Sequence, residues 1–136
     1  MSTSKRNPGK IVTLNSEATI PDGSCVVVGA NALGAGLPAG ASPTSVMLLG
    51  LARREGGGSY ASGDPMDVVV DGIESGIASD GSITTGDRVT SGGTDGKLIK
   101  ANPGSGVNCT YVGIALATPA SGDRFPVLVC PGIMQG

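Results

Sequence analysis

"YVGIALATPASGDRFPVLVCPG" (residues 111–132) decides how this chain is read, because "LLGLARREGGGSYASGDPMDVVVDG" (48–72) has already said much the same. Gly50 and Ala52 precede Gly113 and Ala115 by 63 residues, and Ile20, Gly23 and Val26 precede Ile83, Gly86 and Val89 by the same 63. "REGGG" (54–58) has no full counterpart. Beyond it the spacing drops to 59: Ser62-Gly63-Asp64 matches Ser121-Gly122-Asp123, and Val68 and Val70 match Val127 and Val129. A shared order broken by one four-residue insertion points to an internal duplication.

Each unit reads as a turn, a strand, a variable loop, a strand, a turn and a strand. Apolar, β-branched runs bounded by turn residues mark the strands: "CVVV" (25–28), "SVMLLGLA" (45–52), "MDVVV" (66–70), "CTYVGIALA" (109–117) and "FPVLVC" (125–130). "IVTL" (11–14), "DRV" (87–89) and "KLIKA" (97–101) are shorter candidates. Nothing shows a 3.6-residue apolar period with caps, so no helix is expected. Pro126 belongs at a strand start or edge, since it cannot donate to a ladder. The expected fold is all-β: two small, similar modules of sandwich or barrel type. A basic, flexible N-terminal arm covers residues 1–10, a first module 11–73 and a second 74–136, the two modules sharing one compact body.

Composition narrows the function. The chain has 136 residues, 39% of them apolar, with 24 glycines and nine prolines. Tyr60, Tyr111 and Phe125 are its only aromatics, so Val, Ile, Leu, Ala and Met must build the core. Histidine, the commonest general acid/base and metal ligand, is absent, which argues against an enzyme. Neither a cofactor nor a metal site is expected. The net charge of −2 does not suit a nucleic-acid surface. No apolar run is long enough to span a bilayer, and the basic start is not followed by the apolar segment of a secretory signal. Cys25, Cys109 and Cys130 lack metal-like spacing and read as small buried thiols; a Cys109–Cys130 bridge has no support in the sequence.

Motifs that suggest chemistry have simpler readings. Seven of eight aspartates adjoin a glycine (Asp67 is the exception), which is turn chemistry, the carboxylate bonding nearby backbone N–H groups. "DGS", at 22–24 and 80–82, has the wrong order for an aspartic protease. "VVVGANALGAG" (26–36) follows a strand as a dinucleotide loop would, but its spacing is not G-x-G-x-x-G and Pro38 and Gly40 deny it a following helix. It reads as a glycine-alanine loop. "NCT" (108–110) matches a glycosylation acceptor but opens an expected strand. The charge distribution is more informative. Residues 1–10 hold Lys5, Arg6 and Lys10 with no acidic residue, while the remainder carries six basic side chains against eleven acidic ones. Such an arm would order against an acidic partner surface. Arg53 and Arg54, followed by Glu55, read as a solvated charged corner, with contact to a partner as the alternative.

The pattern "SITTGDRVTSGGTDGKLIKA…YVGIALATPASGDRFPVLVCPG" resembles the head decoration, or capsid cement, proteins of tailed bacteriophages. Its marks are Gly86-Asp87-Arg88-Val89, Val112-Gly113-Ile114-Ala115, Ser121-Gly122-Asp123 and the closing strand with Val127 and Val129. The resemblance implies a β-rich structural protein of the virion, made in the host cytoplasm. Such a protein binds the outer surface of the icosahedral head, commonly as a homotrimer, and clamps neighbouring major capsid subunits. It implies no catalysis, no specific nucleic acid and no membrane. The candidate capsid contacts are then Lys5, Arg6, Lys10, Arg53 and Arg54, with loops 29–44 and 53–61. The rival reading is a phage tail or fibre-associated β-module, or a carbohydrate-binding domain, for which three aromatics leave little ring-stacking material.

Overall fold

The computed structural model describes residues 7–136. Eleven strands and no helix occur among them: β1 (Asn7–Ser16), β2 (Ile20–Pro21), β3 (Cys25–Val28), β4 (Gly34–Gly36), β5 (Leu48–Arg53), β6 (Ser59–Tyr60), β7 (Pro65–Ile77), β8 (Arg88–Ser91), β9 (Leu98–Lys100), β10 (Asn108–Ala115) and β11 (Arg124–Gln135). The expected apolar runs all lie in or across these strands. Residues 7–10, assigned to the arm, instead enter β1, where Asn7 and Pro8 pair with Ile73 and Gly72 of β7. Lys5 and Arg6 lie outside the described residues.

The pairings make two closed circuits. β1, β4, β3, β5 and β7 are neighbours in that order, and β7 pairs back to β1. The C-terminal part of β7 pairs with β11, which leads on through β10 and β8 to β9. A bridge between Leu98 in β9 and Ala78, one residue past β7, closes the second ring. β7 therefore belongs to both rings and crosses the sequence boundary at residue 73. It is longer than "MDVVV" alone suggests because "DGIESGI" continues it. Each ring closes through a parallel contact, Ser16 with Ala35 in the first and Ala78 with Leu98 in the second.

The registers recur at the spacings seen in the sequence. Val26 faces Gly50 and Val89 faces Gly113. Leu51 and Ala52 face Val69 and Val68, as Ile114 and Ala115 face Leu128 and Val127. The turn into each unit is fixed alike: Gly23 N–H donates to Ala52 O and Gly86 N–H to Ala115 O, both at 2.8 Å. Gly23 and Gly86 adopt φ of 89° and 93°, which a side chain would resist. The cores correspond as well. Ile20, Val26, Ala35, Ala52, Met66 and Val68 fill the first ring, and Ile83, Val89, Leu98, Ala115, Phe125 and Val127 stand at the matching places in the second. One face of each strand is apolar, so the alternation of the strands dictates which residues point inward.

The rings join through a shared apolar layer. Cys25, Leu48, Leu51 and Val69 of the first ring pack into the cluster of the second. At its edge the buried Asp22 carboxylate accepts a hydrogen bond from Arg124 Nη1 at 2.9 Å, and Arg124 Nη2 donates to the Asp22 carbonyl at 3.3 Å. Pro126 lies near the start of β11, as expected. Its carbonyl accepts from Leu116 N–H on the β10 side, so its nitrogen faces that side too, and the ladder with β10 ends there for want of an N–H.

Candidate functional site

The basic candidates do not converge. Lys10 is exposed on β1, opposite Asp71. Arg53 ends β5 and is engaged within the chain: its Nη2 lies 3.1 Å from Glu55 and its Nε 3.5 Å from the buried carboxylate of Glu74. The Arg54 guanidinium is exposed and donates to Gly57 O at 2.6 Å, while its backbone N–H donates to Asp22 at 2.7 Å. Tyr60 braces the same corner through a hydroxyl bond to Arg53 O. Arg53 and Arg54 thus organise loop 54–58 and the junction between the rings, and of the candidates among the described residues Arg54 and Lys10 present charge outward.

The glycine-alanine loop is held by a residue the sequence reading passed over. Glu17 accepts the backbone N–H groups of Ala30 and Asn31 at 2.8 and 2.9 Å. Those N–H groups are what a phosphate would need, and the chain's own carboxylate fills the place. A Cβ at Gly29 or Gly34 would meet the Glu17 carboxylate and push it off these N–H groups. Beside this loop Val12, Leu14, Val28, Leu33, Leu49 and Val70 line an open apolar groove of about 530 Å³ at the mouth of the first ring. Val28 and Leu33 are 64% and 74% exposed there. An exposed apolar patch of this kind is a candidate contact surface. Its one sequence signal is Leu33, the lone large residue in "GANALGAG".

The acidic and thiol groups serve the fold. Asp64, Asp80, Asp87 and Asp95 each accept a backbone N–H two or three residues away, the turn role expected of them. The Ser82 side chain and then its backbone N–H hold the Asp80 carboxyl below the usual carboxylate range. Asp22 departs from this pattern, being buried and bonded across the rings. The three cysteines are unbridged. Burial pushes the Cys25 thiol up to about 12 and raises that of Cys130. These are thiols held neutral, the opposite of an activated nucleophile. Among the described residues no group of three His, Cys, Asp or Glu side chains is placed to hold a metal ion.

The family model for phage cement protein matches residues 6–131. The chain belongs to the phage cement protein family. No curated protein matches it. A cement protein is a structural component of the bacteriophage capsid, and membership places this chain in a capsid-stabilising role. For this cement protein, then, the groove and its surroundings are the candidate interaction surface.

Proposed function

We propose that this cement protein binds the outer surface of the mature icosahedral head as a homotrimer and clamps neighbouring major capsid subunits, with no catalytic step. The family match over residues 6–131 carries the reading. The recurring registers support a duplicated two-module body, and the open groove supplies apolar surface for assembly. A protein that binds the expanded lattice and not its precursor stabilises the expanded form by linkage, and many weak contacts per head add avidity. Lys5, Arg6, Lys10 and Arg54 provide positive charge for an acidic capsid surface.

Heads assembled without the protein supply the test. Added protein is expected to bind expanded heads saturably, to raise the temperature at which they rupture, and to leave unexpanded precursors undecorated. Absence of binding, or equal binding to both forms, overturns the reading. Removing residues 2–6 together with Lys10→Ala is expected to lower occupancy at a fixed protein concentration. Undiminished occupancy removes the basic segment from the account.

A further inference from the structure

We propose that copies of this chain associate head to tail, the outer face of the second ring of one copy sealing the groove at the mouth of the first ring of the next. The faces are read from the structure. Closure at three copies rests on the homotrimer reading above.

Within one chain the rings already meet in this asymmetric way. Leu51 and Val69, on the outer side of the first ring, are fully buried because they pack on the second. Leu51 reaches its mouth: Leu51 Cδ1 lies 3.7 Å from where a Cβ on Gly76 would stand. Beside it Arg53 pairs with Glu74. The register places Ile114 and Leu128 in the second ring where Leu51 and Val69 stand in the first, and these are half-exposed and 37% exposed. The mouths behave conversely. Val112 and Val129 of the second ring are fully buried, whereas the matching Leu49 and Val70 of the first line the open groove. One outer face and one mouth are joined inside the chain, and one of each is left over.

The leftover pair is complementary. At the internal joint Arg53 meets Glu74; the matching residues on the free faces are Leu116 and Val12. Both partners turn apolar together, as they must, since changing one alone would strand a buried charge. Leu116 is 41% exposed in the single chain, and Val12 lines the groove. Leu33 adds an independent sign. It holds φ at 55°, where the matching Gly96 has 76°, a conformation disfavoured for a bulky side chain, and it does so 74% exposed at the groove. The turns agree too. A Cβ at Gly23 would lie 3.1 Å from Ser75 O and Arg124 Nη1 across the internal joint, while at Gly86 it would meet nothing within 4 Å. The joint that repeats is heterologous, and such a contact closes into a ring when its rotation allows. Three copies would set six similar modules around the axis.

Sedimentation of the purified chain tests this. The wild type is expected to run as one closed oligomer over about a hundredfold range of concentration. Leu116→Asp spoils the outer face and Leu33→Asp the groove; each, shown folded by circular dichroism, is expected to run as a monomer. Mixed, the two variants retain one intact joint between them and are expected to form a one-to-one dimer and nothing larger. A monomeric wild type, either variant keeping the oligomer, or a mixture that stays monomeric overturns the proposal. Head occupancy measured in parallel separates it from the cement reading. A monomer that saturates heads overturns the head-to-tail joint alone, and an oligomer that ignores heads overturns the capsid role alone.

Discussion

Replacing Gly113 by alanine in β10, and Gly50 by alanine in β5, should damage the two rings alike. Neither glycine has a left-handed φ, so alanine is allowed by its own backbone. At such a position the exchange ordinarily stabilises by about 0.4–1 kcal/mol, because alanine stiffens the unfolded chain. Here the neighbouring strand forbids it. The new Cβ would lie 2.9 Å from the carbonyl carbon of Val69 in one ring and of Leu128 in the other, with the attached oxygen closer still. Ordinary contact begins near 3.4 Å, so the strands must part where Leu51 faces Val69 and Ile114 faces Leu128. Overpacking of this kind costs about 1–3 kcal/mol, and against rigid backbone we expect a net loss of about 2 kcal/mol. For a chain of this size that lowers Tm by about 6–12 °C. Gly36→Ala is the control: it has no left-handed φ and nothing within 4 Å of its Cβ position, so Tm should hold or rise by a few degrees. Thermal unfolding followed by circular dichroism, at one protein concentration, reads all three. A Tm for Gly50→Ala or Gly113→Ala at or above wild type, or a drop confined to one of them, refutes the matched-register argument.

Two further outcomes follow from buried groups. Asp22→Ala removes the acceptor of Arg54 N–H and the partner of Arg124 and should cost about 2 kcal/mol; the Arg124 side chain is 42% exposed, so water takes over part of its bonding. Urea midpoints should show this loss with an unchanged slope, while Asp80→Ala, in an exposed turn, should shift them by less than about 0.5 kcal/mol. Cys25 sets an alkaline limit. Its native thiol titrates at about 12 against the ordinary 9.0, so the unfolded chain loses this proton first. Stability from this group is therefore complete below about pH 9 and is lost as pH rises toward 12, by at most about 1.4 kcal/mol per pH unit. Cys25→Ala should flatten that decline between about pH 8 and about pH 10.5 in urea titrations, and identical slopes for the two proteins would contradict the assignment.

Much of the architecture was legible in the chain because its signals are local. β-branched runs and Asp-Gly turns name strands and corners over four to six residues, and the recurring spacing placed equivalent strands in equivalent order before any contact was known. Two-residue β2 and β6 and the glycine-alanine strand β4 were not legible. They have too few side chains to show alternation and exist because neighbouring strands hold them. The candidate surface divided the same way. Its charges could be named from the sequence, but Arg53 is turned inward to Glu74, a residue 21 positions later whose burial depends on the whole second ring.

By itself the sequence determined a recurring order of turns and apolar runs, an aliphatic composition with three aromatics, and the lack of histidine in these 136 residues. Tertiary structure alone decided that both units close into rings sharing β7, that Glu17 fills the loop that looked ready for a phosphate, and that one outer face and one mouth remain uncovered. The reason is range. A strand or turn is selected by neighbours a few residues away. Which of two similar faces becomes buried is settled by contacts such as Arg53 with Glu74 and Asp22 with Arg124, far outside any local window, and two stretches of similar pattern carry no local mark of which one the chain will cover.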